Sequence, residues 1–275
     1  RIETLHPAVK DVDFVFHSAG VLRATHSDYF YYVNQTGTKN LIESAYRLNP
    51  NVKRFVYFSS QAAMGPSETC DPKNLDEKCQ PVSEYGKSKL AGEQEVLKFS
   101  SKMPVVILRP SAIYGPRDKD IFPFFKIVSR FKIFPVLSPS NKCVVQLLFI
   151  QDLSEICERI VKQQSLRSNI YFVSENKFYT WQEIGKIISG AIGIEKMRII
   201  RIPPLLVRSA AAISELTMKL KNKPSLLNKD KLNELCQTYW LGDSSAVEKD
   251  FNFKFTSLET GAKITYNWYK ENNWL

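Results

Sequence analysis

The stretch Tyr85-Gly86-Lys87-Ser88-Lys89 opens a predicted helix that lies between two apolar segments. Arg54 to Phe58 precedes this helix and ends at Ser59-Ser60, whereas Val105 to Leu108 follows it and ends at Arg109-Pro110. A short apolar run bounded by polar residues is typical of a strand buried in a parallel sheet. A helix between two such strands indicates an α/β fold.

A third strand is predicted upstream, from Asp13 to Phe16, and it ends in the small-residue turn His17 to Gly20. A helical pattern follows from about Ser27 to Leu48. Gly37 within it costs about 1 kcal/mol relative to alanine, so we expect a close packing partner or a ligand beside it. Chemistry in parallel sheets gathers at the carboxyl ends of the strands. One crevice should therefore be lined by the residues that follow the three strands: Gly20, Ser60 and Pro110.

The second half of the chain begins with an irregular, aromatic segment and continues with further strands and helices. Val144 to Ile150 is predicted as a strand, and Asp152 as the cap of the next helix. Thr180 and Glu183 form a capping box, which predicts a helix start. The other predicted elements are strands at Ile170 to Val173 and Met197 to Ile202, and helices at Leu205 to Leu220, Lys229 to Cys236, Ser244 to Phe251 and up to about Trp268.

Composition limits the class of protein. The 275 residues, 44% of them hydrophobic, can form one domain or one domain with a lobe. The net charge is +10, and residues 186 to 231 hold ten Lys and Arg against three Asp and Glu. With no nucleic-acid module in view, this predicts a solvated basic face and no nucleic-acid partner. The five cysteines and three histidines lack metal-binding spacing, which predicts reduced thiols, a cytoplasmic location and no metal site.

Tyr85 and Lys89 are four residues apart and share one helical face. A phenol titrates near pH 10, and a neighbouring ammonium group favours the phenolate. Lowering the phenol pKa by about three units requires roughly 4 kcal/mol of stabilisation. Such pairs also occur by chance, so the interpretation depends on the surrounding residues.

Those surroundings resemble the extended short-chain dehydrogenase/reductase superfamily, and in particular its 3-beta-hydroxysteroid dehydrogenase-like branch. The resemblance covers essentially the whole chain and implies a Rossmann-like doubly wound parallel sheet with a smaller mixed α/β substrate lobe. It places the nucleotide-binding domain at 1–116 with 144–173, and the lobe at 117–143 and 174–275. Six landmarks occur in order: His17-Ser18-Ala19-Gly20, Asn34 with Gly37-Thr38, Ser59-Ser60, Tyr85 with Lys89, Arg109-Pro110, and Tyr114-Gly115-Pro116.

The resemblance implies an enzyme that uses NAD or NADP. Tyr85 would be the general acid/base, Lys89 would lower its pKa and hold the nicotinamide ribose, and Ser60 rather than Ser59 would hydrogen-bond the substrate oxygen. Further cofactor-binding positions would be Ala19 and Gly20 on the adenosine side, and Pro110, Ser111 and Ile113 near the nicotinamide.

Structural roles compete with these assignments. Ser59 could satisfy only backbone groups, and Asn34 is expected to tie a helix to a strand rather than to relay protons. Arg109 is expected to anchor its strand end. His17 is expected to be a hydrogen-bonded core residue.

One departure from the superfamily concerns the cofactor. The sequence contains no G-x-x-G-x-x-G turn, whose helix N-terminus holds the pyrophosphate in such proteins. The chain begins with Arg1, just before what resembles the fourth strand of the superfamily. The resemblance thus implies that the first β-α-β units are missing, and that this chain alone binds a dinucleotide poorly. We therefore expect activity from the full-length protein and an inactive isolated fragment.

Three features bear on the reaction. Gln61-Ala62 stand where dehydratases of this superfamily carry acidic residues. Val145 stands where similar nucleotide-sugar enzymes place a phosphate-binding arginine. The stretch Ser59 to Pro66 resembles the steroid-dehydrogenase branch. We therefore predict an oxidoreductase that interconverts a secondary alcohol and a ketone on an apolar, sterol- or flavonoid-like substrate. A nucleotide-sugar 4-epimerase and a non-catalytic nucleotide-sensing protein are the alternatives.

Two apolar segments remain open to interpretation. The phenylalanines between 122 and 134 suit either an apolar substrate or a core. The helix from Leu205 to Leu220 is expected to turn its apolar side inward, as a packed helix or a lid over the substrate pocket. An alternative is an interfacial helix in peripheral contact with an anionic membrane. The sequence also leaves open whether the chain forms a homodimer.

Overall fold

The centre of the fold is a four-stranded parallel sheet, whose strands lie in the order Phe14–His17, Arg54–Phe58, Val105–Pro110, Ile170–Val173. The computed structural model describes residues 2–137, 143–221 and 228–275, with the backbone alone at 216–221. The strands are β1 Phe14–His17, β2 Arg54–Phe58, β3 Val105–Pro110, β4 Ala112–Tyr114, β5 Ile133–Leu137, β6 Val144–Val145, β7 Leu147–Phe149, β8 Ile170–Val173, β9 Tyr179–Thr180, β10 Arg198–Ile202 and β11 Tyr239–Trp240.

Twelve α-helices accompany these strands in the described residues, and a 3₁₀ turn at Ile2–Leu5 precedes them. No helix of the described chain is both long enough and apolar enough to cross a membrane. The helices are α1 His6–Val9, α2 Ser27–Tyr31, α3 Thr38–Leu48, α4 Gln61–Met64, α5 Glu84–Leu97, α6 Phe122–Phe131, α7 Ile150–Lys162, α8 Trp181–Ile192, α9 Pro204–Lys221, α10 Lys229–Leu235, α11 Ser245–Asp250 and α12 Leu258–Glu271.

The central sheet is buried on both faces. Alternate residues of a strand point to opposite faces, so Phe55 and Tyr57 of β2 join a core with α3 and α5, whereas Val56 joins a core with α7 and α11. This arrangement explains the continuous apolar runs of β2 and β3 and confirms the predicted doubly wound parallel sheet. The segment from α7 to β8 returns to the sheet beside β3. The exact domain boundaries stay a prediction.

The helical pattern from Ser27 to Leu48 contains a π-helical segment, Tyr32–Gly37, between α2 and α3. A single π turn inside a helix often occurs at a functional site. The described residues provide no close packing partner at Gly37, because a Cβ atom added there would meet only the Tyr32 carbonyl oxygen, at 3.9 Å. The alternative of a ligand beside Gly37 stays a prediction.

Two predictions around residue 150 are wrong. The strand predicted from Val144 to Ile150 is two short strands, since β6 pairs with β11 and β9 whereas β7 pairs with β4 in a different sheet. Asp152 does not cap α7. It lies inside the first turn, where its carboxylate accepts hydrogen bonds from the backbone N–H and hydroxyl of Thr256 at 2.8 and 2.6 Å.

The aromatic segment after Pro116 is more regular than predicted, since it forms α6 and β5. Pro123 is compatible with α6 because it stands in the first turn, where a missing N–H costs no helical bond. Phe125 and Phe134 are fully buried in the core of the C-terminal lobe. At these two positions the core interpretation is confirmed.

Helix α9 contradicts the expected inward orientation of its apolar side. Leu205, Leu206 and Ile213 are 73%, 60% and 65% exposed, while the small residue Ala211 is 2% exposed. The helix therefore buries Ala211 and presents these three large side chains to solvent. The side chains of Leu216 and Leu220 lie outside the described part of the chain.

Candidate active site

Helix α5 carries Tyr85 and Lys89 and lies very close to its neighbours. Ser83 caps the helix by accepting a hydrogen bond from the Gly86 N–H at 2.9 Å. A Cβ atom at Gly86 would come within 2.4 Å of the Ala62 carbonyl oxygen, and one at Gly92 within 2.3 Å of the Tyr57 hydroxyl. Both positions therefore require glycine for α5 to approach α4 and β2.

A buried ion pair fixes α5 to the sheet. The guanidinium of Arg109 donates two hydrogen bonds to Glu93, at 2.9 and 2.7 Å, and the Ser59 hydroxyl donates to the same carboxylate at 2.5 Å. Arg109 and Glu93 are 3% and 1% exposed. The predicted role of Arg109 as an anchor of the strand end is confirmed. The sequence analysis missed Glu93, although a charge two turns after Tyr85 on a buried helix could have been a signal.

The ammonium group of Lys89 is held at the carboxyl end of β2. It donates to the Phe58 carbonyl oxygen at 2.5 Å and lies 4.3 Å from the centre of the Tyr57 ring. Burial lowers the pKa of Lys89 to about 8, and the nearby charge of Glu93 opposes this effect. Lys89 is therefore mostly protonated at neutral pH.

Tyr85 is half-buried and lies beside Ser60 and the ring of Phe30. Burial raises the pKa of Tyr85 to about 12, a hydrogen bond with Ser60 opposes the rise, and the charge of Glu234 adds to it. The predicted lowering of this pKa by Lys89 is not seen. The reason is geometric, since the Lys89 ammonium group bonds to the Phe58 carbonyl instead.

The two serines after β2 have different partners. Ser59 is buried and bonds to Glu93, whereas Ser60 is half-buried, accepts from the Ala62 N–H at 3.1 Å and contacts Tyr85. This geometry favours Ser60 as the residue that meets a substrate oxygen.

The turn after β1, which contains Gly20 and Val21, lies close to helix α5 and the end of β2. The side chain of Asn34 is fully buried, bonds to the N–H and carbonyl of Val21 at 2.8 and 3.1 Å, and donates to Ser88 of α5 at 2.9 Å. Asn34 thus has a structural role, as predicted, but it ties the turn after β1, rather than a strand, to α5. A Cβ atom at Gly20 would lie 3.8 Å from the Lys89 ammonium nitrogen. Gly20, Lys89 and the end of β2 therefore lie together.

His17 is a core residue, as predicted. Its Nε2 lies 2.8 Å from the Thr38 hydroxyl, which itself donates to the Asn34 carbonyl at 2.7 Å. Since that hydroxyl has one hydrogen, Nε2 of His17 must be the donor toward it. Burial, aided by the charge of Lys89, lowers the pKa of His17 to about 4.

The residues after β3 differ in their surroundings. Pro110 and Ser111 are buried, and the Ser111 hydroxyl has no hydrogen-bond partner among the described residues. Ile113 packs against the core that contains Val56. Ala19 and Gly20 are exposed. The exposed small-residue turn beside the Lys89 ammonium group and the unpaired buried hydroxyl of Ser111 are chemically compatible with the predicted cofactor contacts, which stay a prediction.

The family model described as "NAD dependent epimerase/dehydratase family" matches residues 1–173. The chain belongs to this family. It is an NAD-dependent enzyme of the short-chain dehydrogenase/reductase type.

Two relatives of this epimerase/dehydratase family member bear on its chemistry. A protein of Caulobacter vibrioides named ceramide reductase is 30% identical over 270 residues, which cover 97% of this chain and 77% of that protein. The 3 beta-hydroxysteroid dehydrogenase/Delta 5-->4-isomerase of vaccinia virus is 23% identical over 292 residues, with 98% and 83% covered. The second relative supports the resemblance to the steroid-dehydrogenase branch.

Solved structures of other proteins have the same fold as this chain. The UDP-glucose 4-epimerase of Thermotoga maritima superposes with a TM-score of 0.77 at 17% identity, over 99% of this chain and 82% of that one. At this identity the likeness establishes the α/β fold alone.

Proposed function

We propose that this enzyme interconverts a secondary alcohol and a ketone on an apolar, sterol- or flavonoid-like substrate, using NAD or NADP. The observation that carries the proposal is that Tyr85 interacts with Ser60, while Lys89 of the same helix holds its ammonium group on the Phe58 carbonyl oxygen at the carboxyl end of β2. The bound dinucleotide would exchange the hydride with the substrate carbon. Ser60 would hold the substrate oxygen, and Tyr85 would exchange its proton.

The raised pKa of Tyr85 bears on the direction of proton transfer. A phenol with a pKa of about 12 is protonated at neutral pH, so Tyr85 is prepared to donate a proton to a ketone oxygen. Oxidation of the alcohol requires the phenolate and is expected to become faster as pH rises. Lys89 supplies a fixed positive charge for the ribose and for the developing oxyanion.

An uncharged strand supports an apolar substrate over a nucleotide sugar. Val145, Gln146 and Leu147 are all buried. The amide of Gln146 is used internally, because it exchanges hydrogen bonds of 2.7 and 3.1 Å with the Gly242 backbone and donates to the Glu175 carbonyl. The described residues of this segment, 144–149, thus offer no cation to meet a diphosphate. The names of the ceramide and steroid relatives also point to lipid substrates.

A substrate panel tests the proposal. The purified full-length protein, with the nucleotide-binding unit that the resemblance implies, is mixed with NADH or NADPH and with a 3-ketosteroid, a keto long-chain lipid, a dihydroflavonol or UDP-glucose, and absorbance at 340 nm is followed. We expect oxidation of reduced cofactor with at least one apolar ketone and no conversion of UDP-glucose. Epimerisation of UDP-glucose without net cofactor oxidation would contradict the proposal and support the epimerase alternative.

A further inference from the structure

Backbone N–H groups in the first turn of α5 donate hydrogen bonds to α10, which lies about 145 residues further along the chain. The carboxylate of Asp230 accepts hydrogen bonds from the backbone N–H groups of Glu84 and Tyr85, at 2.6 and 3.3 Å. The first N–H groups of a helix have no intrahelical partner. Asp230 therefore satisfies two donors that α5 cannot satisfy itself, one of them belonging to Tyr85.

Ser83 completes this connection. Its side-chain oxygen accepts from the Gly86 N–H at 2.9 Å, and its carbonyl accepts from the Lys87 N–H at 2.9 Å. The Ser83 hydroxyl hydrogen goes to Glu234 of α10 at 2.7 Å. All four N–H groups of the first turn of α5 thus have acceptors, supplied by Asp230 and by a serine that Glu234 orients.

Helix α10 is itself held in place. Its cap Asn228 accepts from the Lys231 N–H at 2.8 Å, and the indole N–H of Trp240 donates to the Glu234 carbonyl at 3.1 Å. The ammonium group of Lys231 pairs with the second oxygen of Glu234 at 2.8 Å. The two carboxylates that face α5 therefore have restricted positions.

We propose that Asp230 and Glu234 are positioning residues, which hold the first turn of α5 and thereby place the Tyr85 hydroxyl beside Ser60. Through them the C-terminal lobe, which the substrate is expected to contact, sets the position of the proton-transferring residue. The catalytic consequence rests on the proposed function, whereas the contact itself does not.

Amide hydrogen exchange tests the contact without any activity assay. In Asp230→Ala, the Glu84 and Tyr85 amides lose their acceptor, and we expect their exchange to become at least about tenfold faster. Amides from Glu93 to Leu97 should not change. Asp230→Asn keeps one acceptor oxygen and should restore part of the protection, and Lys229→Ala, an exposed change on the same helix, is the matched control. Unchanged exchange at Glu84 and Tyr85 in Asp230→Ala overturns the inference.

Kinetics test the consequence for Tyr85. With the apolar ketone found in the panel, Asp230→Ala should lower kcat about tenfold with little change in KM, and Asp230→Asn should recover part of the loss. Faster exchange with unchanged kcat overturns the catalytic part of the inference. Faster exchange in a protein whose wild type converts no ketone leaves the contact standing and refutes the proposed function instead.

The pH dependence of alcohol oxidation is a measurement that a mere loss of stability would not shift. The charge of Glu234 raises the pKa of Tyr85, so Glu234→Gln should shift the rise of alcohol oxidation to lower pH. An unshifted profile contradicts the role of Glu234. The other charged and titratable groups around this turn, which the variant leaves in place, are Tyr31, Glu84, Lys87, Asp230 and Lys231.

Discussion

Ser59 and Ser60 are neighbours in the chain, but their hydroxyl groups serve different purposes. Ser59 donates to the buried carboxylate of Glu93, so it helps to satisfy a charge inside the protein. Ser60 contacts Tyr85 and remains half-buried, so it is accessible to a substrate. The direction of its side chain thus gives Ser59 a structural role and leaves Ser60 free for the chemical role that we propose.

Alanine substitutions at the two serines should therefore have different effects. Ser59→Ala removes a hydrogen bond to a buried charge and should cost about 2 kcal/mol of unfolding free energy, measured by urea denaturation. Ser60→Ala should cost less than about 1 kcal/mol but lower kcat about 10²-fold. Equal losses of activity in the two variants would contradict this division.

His17 should make stability depend on pH. Its pKa is about 4 in the folded protein and about 6.5 when unfolded, so the unfolded chain binds more protons between these values. The stability that neutral His17 contributes is complete above about pH 6.5 and is lost as pH falls toward 4, by about 3 kcal/mol. Urea denaturation from pH 7 to 4 measures this. In His17→Gln, the part of the pH-dependent loss of unfolding free energy that comes from His17 should disappear. If the unfolding free energies of the two proteins instead fall in parallel with pH, the lowered pKa of His17 is refuted.

At the scale of elements, α5 depends on its ion pair with β3. Glu93→Gln leaves the buried Arg109 charge without its partner and should destabilise the protein by about 3 to 5 kcal/mol. The double variant Glu93→Leu/Arg109→Met removes both charges and should recover much of this loss in urea denaturation. If the double variant is as unstable as the sum of the two single variants, the pair is not the coupled unit described here.

Most helices and strands could be predicted from the sequence, because their periodicity and caps are local. The capping box at Thr180 and Glu183 is present as predicted, and β2 begins and ends where its apolar run does. The failures have tertiary causes. Asp152 resembles a cap locally, but its partner is Thr256, about a hundred residues away. Gly37 resembles a packing glycine, yet it only ends a π-helical segment.

Helix α9 offers a stability test of its orientation. Leu206→Glu changes an exposed side chain and should alter the unfolding free energy by no more than about 0.5 kcal/mol. Ala211→Glu places a charge at a buried position and should cost several times more. A strongly destabilised Leu206→Glu would contradict the exposed orientation.

Vesicle sedimentation with Leu206→Glu addresses the membrane contact that the sequence left open. Salt-sensitive binding of the wild type to anionic vesicles, lost in this still-folded variant, would place the exposed side of α9 on a bilayer. No binding at low salt would exclude that contact.

At the scale of the whole molecule, the site joins elements from distant parts of the chain. Ser60, Tyr85 and Lys89 could be proposed from the sequence as candidates because they follow predicted strands or begin a predicted helix in a familiar order. It could not locate Glu93, Asp230 or Glu234, because their roles come from contacts across the fold. The direction of the Tyr85 pKa shift also needed the structure, since it depends on burial and on where the Lys89 side chain points.

The central claim is that Tyr85 transfers the proton during the reaction. It is tested most directly by the rate of Tyr85→Phe with saturating ketone and reduced cofactor, next to Tyr46→Phe, which changes an exposed tyrosine remote from Ser60. We expect Tyr85→Phe to lower kcat by about 10² to 10⁴ with nearly unchanged cofactor affinity, and Tyr46→Phe to retain wild-type activity. A Tyr85→Phe variant that keeps more than about a tenth of the wild-type kcat would contradict the account.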